Sequence, residues 1–131
     1  LSRRPEQAGQ LVAAVAEALP GAPLRAGRLD EAVEAAGAAA APVIVNTTPL
    51  GMAGGAYAGL SPWPDDAPLP DGAFVYDLVY NPPLTPLLRL ARAAGLRWAN
   101  GLGMLVNQAA EAFELWTNRR PDRDVMRAAI Q

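Results

Sequence analysis

Histidine and cysteine are absent from this 131-residue chain. Lysine is absent too: the eleven basic residues are all arginine. Without cysteine there is no disulfide frame, no thiol nucleophile and no zinc knuckle, and no metal site is expected. Without histidine or lysine, the side chains left for proton transfer near neutral pH are carboxylates and three tyrosines. If the chain belongs to an enzyme, its proton-transfer group is a carboxylate or lies outside these residues. A net charge of −2 gives no nucleic-acid footprint. No apolar run is long enough to span a membrane, and no apolar leader follows Leu1-Ser2-Arg3-Arg4. Neither nucleic acid nor membrane is therefore expected as a partner, and the cytoplasm is the expected location. Hydrophobic residues make up 51% of the chain, enough for one domain with a core.

Three stretches carry chemistry. The first is Asn100 to Gln108, a glycine-loosened turn running into a helix. Gly101 and Gly103 permit positive φ or a close approach to a ligand. Leu102, Leu105, Val106, Ala109, Phe113 and Trp116 recur at helical spacing and predict a buried stripe. Met104 and Gln108 fall on another stripe. Gln108 offers a donor and an acceptor to a polyhydroxylated ligand, or is simply a surface residue at an ordinary helix start. The second is Pro42 to Met52. Val43–Val45 read as a strand covered on both faces, ending in Asn46, Thr47 and Thr48. Ligands bind at such strand ends in open α/β sheets, although a plain polar turn fits equally. The third is Ala73 to Pro83, another strand with a polar exit. Asp77 within it needs hydrogen bonds and is expected to anchor the neighbouring loop; Tyr80 at the exit could donate to a carboxylate or hydroxyl.

The remaining elements follow from caps and breakers. Pro5 suits a first helical position, with Ala8, Leu11, Val12, Val15 and Leu19 on one face and Pro20-Gly21 as the stop. Residues 22–26 are a weak strand candidate, and Asp30 is expected to cap a short helix ended by Gly37. Residues 54–72 form a long loop that Trp63 pins. Thr85 caps a helix with Pro86 first, and residues 96–99 are a short strand. Pro121 is expected to start a last helix with Val125, Met126, Ala129 and Ile130 on its face. At the chain start, Arg3 and Arg4 could grip a phosphate, or be a solvated pair. Strands alternating with helices predict an α/β fold: an incomplete, Rossmann-like, doubly wound parallel sheet with helices on both faces, plus C-terminal helices. No G-x-G-x-x-G is present. Residues are expected to precede Leu1, and the strand near 43–46 should show an open edge or one filled by another copy.

Asn46-Thr-Thr-Pro-Leu-Gly-Met52, Tyr76-Asp-Leu-Val-Tyr-Asn-Pro82 with Thr85, and Asn100-Gly-Leu-Gly-Met-Leu-Val-Asn-Gln108 together resemble three consecutive signatures of the shikimate dehydrogenase family. The resemblance covers essentially all of residues 1–131 and places them as part of an NAD(P)-binding Rossmann-like domain with C-terminal helices, the N-terminal substrate domain not being among them. It implies reversible, NADP-dependent reduction of 3-dehydroshikimate to shikimate, on the route to aromatic amino acids. It places the catalytic Lys and Asp in the substrate domain, leaving no catalytic residue here. Tyr80 and Gln108 match substrate-binding positions. Ser2, Arg3 and Arg4 match the motif that meets the adenosine 2′-phosphate, with Ser2 and Arg4 departing from the family's residues. Asn46, Thr47 and Thr48 match the stretch beside the nicotinamide ribose, Leu78 a nicotinamide contact, and Gly101 a backbone contact to that ring. The Arg-Arg pair also occurs in relatives that accept NAD, so NAD stands as an alternative cofactor. Alternative functions are a quinate/shikimate dehydrogenase using NAD and a non-catalytic Rossmann-like binding module. A homodimer is compatible with the resemblance.

Overall fold

The computed structural model describes Ser2, residues 4–38 and residues 42–130. Arg3 therefore lies outside the described residues. Pro5 opens α1 (Pro5–Ala18) at its first turn as expected, where its missing N–H is no loss. The apolar stripe of α1 is only partly covered: Ala8, Val12 and Val15 are half-buried, none of the helix is fully buried, and Leu11 and Leu19 are exposed. Residues 22–26 form no strand; beside them is an isolated bridge between Ser2 and Arg28. Asp30 does not cap a helix. It sits inside a 3-10 turn, Leu29–Glu31, with its carboxylate turned back to Arg28, and α2 (Ala32–Gly37) follows.

β1 (Val43–Asn46), β2 (Phe74–Asp77) and β3 (Arg97–Asn100) form one parallel sheet in the order β1-β2-β3. This is the parallel α/β sheet expected, with β1 at an edge. Register aligns Asn46 with Asp77 and Asp77 with Asn100. Alternation along β1 and β2 then sets Ile44, Asn46, Val75 and Asp77 on one face, where α3 (Pro86–Ala93) packs on β2 and β3. Thr85 caps α3 by accepting from Leu88 N at 3.3 Å. The core joins Leu87, Leu88 and Ala91 of α3 to Val75 and to Trp63 and Leu69 of the long loop. Each large apolar side chain so buried contributes about 1.5–3 kcal/mol. Trp63 is only 4% exposed and donates from Nε1 to Ala67 O, so it pins the loop as expected. The other sheet face is thinly covered. Val43 and Val45 are 66% and 48% exposed, so β1 is not covered on both faces.

α4 (Leu102–Thr117) and α5 (Arg123–Ala128) pack on each other. The buried stripe of α4 is narrower than its apolar spacing predicts. Val106 and Ala110 are buried, while Phe113 is 41% and Trp116 84% exposed, because nothing described covers that end. α5 begins after Pro121, not at it: Asp122 caps it by accepting from Asp124 N and Val125 N. Arg123 ties the two helices through Glu111 and Asn107. No helix of the described residues is long and apolar enough to cross a membrane.

Candidate functional site

The three strands end in three polar residues that make the same local bond. Asn46 Oδ1 accepts from Thr48 N (2.9 Å), Asp77 Oδ1 from Val79 N (3.0 Å) and Asn100 Oδ1 from Leu102 N (3.2 Å). Each side chain thus bonds the backbone two residues on, as Asn and Asp do in turns. The in-register row turns the chain out of the sheet at one line. From it emerge the segments holding Thr47 and Thr48, Leu78 and Tyr80, and Gly101.

The row is also joined sideways. Asn46 Nδ2 donates to Asp77 Oδ1 at 2.9 Å and to Leu50 O at 3.3 Å. Thr85 Oγ1 donates to Asp77 Oδ2 at 2.6 Å. Asp77 is fully buried, so its carboxylate needs these three donors; it anchors the loop as its sequence context implies. Asn46 is 4% exposed, and its Oδ1 also accepts from Thr48 Oγ1 at 2.7 Å. Its side chain is committed to protein groups. Thr47, by contrast, is exposed.

A hollow of about 350 Å³ lies at these strand ends. One wall is Thr47, Thr48, Pro49 and Met52; the other is Leu78, Val79, Tyr80 and Asn81. Tyr80, 44% exposed, also lines a larger hollow toward β3 and α5 that includes Trp98, Asn100 and Arg127. A third hollow, of about 400 Å³, follows the open edge of β1 and reaches Thr47 and Thr48. Through Leu29, Pro62 and Trp63 it adjoins a fourth, lined by Ser2, Arg28 and Asp30. The hydrogen bond and charge of Arg28 hold the Asp30 carboxyl below its usual range. Arg4 is exposed and bonds Gln7, while Ser2 Oγ accepts from Arg4 N.

Gly101 takes an ordinary helical φ of −72°. What demands glycine is crowding: a Cβ there would lie 1.9 Å from Leu78 O. α4 therefore starts hard against the segment that carries Leu78. Gln108 is exposed about two helical turns further on. None of the four hollows just described is lined by Gln108. The structure thus brings together Thr47, Thr48, Leu78 and Tyr80, with Asn46 beneath them, and sets Ser2 and Arg4 apart at the start of α1. The residue that sequence reasoning undervalued is Asn46 as the partner of Asp77; an Asn or Asp ending all three strands is the signal that could have found it.

The shikimate 5'-dehydrogenase C-terminal domain family matches residues 101–131. The shikimate dehydrogenase (NADP(+)) of Citrifermentans bemidjiense is 54% identical over 88 residues, covering 67% of this chain and 29% of that protein. Quinate dehydrogenase from Corynebacterium glutamicum, solved in complex with NAD, matches 98% of this chain with TM-score 0.82 and 30% identity. The chain belongs to the shikimate dehydrogenase family. Its three in-register strands are thus part of that family's Rossmann-like sheet. The shikimate 5-dehydrogenase of Thermus thermophilus, solved in complex with NADP(H) and shikimate, matches 92% of the chain with TM-score 0.66 and 38% identity. The chain spans less than half of each relative: 29%, 43% and 41% of their lengths. The Thr47–Tyr80 hollow is mostly apolar, with the side chains of Thr47, Thr48 and Tyr80 among its walls.

Proposed function

We propose that this chain serves the nicotinamide side of an NADP-dependent shikimate dehydrogenase that interconverts 3-dehydroshikimate and shikimate. The observation that carries this reading is the hollow between the Thr47–Met52 and Leu78–Asn81 segments, at the carboxyl ends of parallel strands. The bound nicotinamide supplies the hydride. Thr47 and Thr48 flank its ribose, with Asn46 fixing their segment from below. Leu78 presses on the ring, and Gly101 lets α4 approach it. Tyr80 donates its hydroxyl to the substrate, and Gln108 orients the substrate's ring from α4. Ser2, Arg3 and Arg4 meet the adenosine 2′-phosphate.

In this reading residues 1–131 are part of one NAD(P)-binding domain with C-terminal helices. A substrate domain completes the site and supplies the proton, which a chain without lysine or histidine leaves to another group. The protein works in the cytoplasm, and a homodimer is its expected assembly. Steady-state kinetics of the protein at its natural length test the reading, with shikimate or quinate paired with NADP or NAD. Shikimate with NADP should give the highest kcat/KM. The 131-residue chain alone should give no sustained turnover.

A second reading, quinate oxidation with NAD, draws on the quinate dehydrogenase from Corynebacterium glutamicum, which matches 98% of this chain. It prevails if quinate with NAD gives the higher kcat/KM. If the natural-length protein binds NADP yet turns over neither substrate, both readings fall and a binding module remains.

A further inference from the structure

Both walls of the Thr47–Tyr80 hollow hang on one buried pair. The first wall follows β1, and Asn46 holds it through Thr48 N, Thr48 Oγ1 and Leu50 O. The second wall follows β2, and Asp77 holds it through Val79 N. The two anchors are joined by the Asn46 Nδ2 to Asp77 Oδ1 bond, between residues 31 positions apart. The same carboxylate then takes the hydroxyl of Thr85, eight positions on. One buried side chain therefore clamps the loop bearing Tyr80 at both ends and fixes it to the cap of α3. Because Leu87, Leu88 and Ala91 of α3 are core residues, the loop position is tied to the packed core. Asp77 does not line the hollow, so its influence on a bound molecule passes through Tyr80, the polar side chain of the loop it holds.

We propose that Asp77 is a positioning residue that fixes the Tyr80 loop against the Asn46 segment; as a statement about turnover it rests on the dehydrogenase reading above. The test uses the natural-length protein with Asp77→Asn, Thr85→Val, Thr85→Ser, Tyr80→Phe and the Asp77→Asn/Tyr80→Phe double variant. Kinetics are read below the melting transition of every variant. Asp77→Asn keeps the shape of the side chain and one oxygen for Asn46 and Val79. It loses the acceptor for the Thr85 hydroxyl. Asp77→Asn and Thr85→Val should each lower kcat/KM for shikimate roughly tenfold, the scale of one positioned hydrogen bond. Thr85→Ser, which keeps the hydroxyl, should restore activity to within about twofold. If Asp77 acts through Tyr80, adding Asp77→Asn to Tyr80→Phe should cost less than about twofold more. A double variant whose loss is the product of the two single losses would overturn the proposal, as would Asp77→Asn with wild-type kinetics. Hydrogen exchange gives a readout independent of turnover: in Asp77→Ala, which removes the acceptor of the Val79 amide, that amide should exchange faster than in wild type. Unchanged exchange there refutes the clamp itself. A wild-type protein without shikimate turnover overturns the dehydrogenase reading, and the exchange result still decides the clamp.

Discussion

Gly101 separates two roles that glycine can play, and only one of them is seen here. Its φ is helical, so conformational freedom is not what it supplies; the contact with Leu78 is. Gly101→Ala should therefore destabilise the protein by about 3 kcal/mol or more, since the atom in the way is backbone. Gly103→Ala, two residues on in open space, should be neutral or stabilising by about 0.5–1 kcal/mol. Urea titration of the two variants checks both. Gly51 shows the other role: φ is +90°, and an added Cβ would also lie 3.2 Å from Pro86 Cδ. At this scale the sequence shows Asp77 to be in need of partners, because a carboxylate inside an apolar strand is costly. It does not show that Asn46 is one of them. That bond depends on strand register, which no local pattern fixes. For the same reason the sequence shows Asn46 only as a polar residue at a strand end, and the structure adds its bond to Asp77.

Among the elements, those with strong local signals are found where the sequence puts them. The β-branched run Val43–Val45 is a strand, Thr85-Pro86 opens α3, and Pro5 opens α1. The misplaced ones had signals that other contacts override. Asp30 looks like a cap, but Arg28 takes its carboxylate. The stripe on α4 has the right period, but what lies opposite decides how much of it is buried. Two expectations belong to this scale. Asp122→Ala removes a cap from a six-residue helix and should cost about 1 kcal/mol, with faster amide exchange across α5. Trp63→Ala should cost about 3–5 kcal/mol and open the 54–72 loop to limited proteolysis, because Trp63 joins that loop to the core.

Across the whole molecule, the apolar surface is distributed unevenly. One sheet face and α3 share a packed core, while β1 keeps an open edge beside the exposed Val43 and Val45. A flat apolar edge is a template for pairing with other chains. The isolated 131-residue chain should therefore self-associate with rising concentration, and Val43→Lys should reduce that association in sedimentation velocity. Leu115 and Trp116, each 84% exposed, are a second such area at the far end of α4. The parallel sheet follows from alternating strand and helix signals in the sequence. Which faces are covered does not, since a covering partner leaves no mark on the period of the element beneath it. The tryptophans turn this unevenness into an optical scale, being 4%, 37% and 84% exposed at Trp63, Trp98 and Trp116. Emission from Trp63 should be blue-shifted and beyond the reach of iodide, and that from Trp116 red-shifted and readily quenched. Whatever seats itself on the end of α4 would announce itself by moving the Trp116 signal toward that of Trp63.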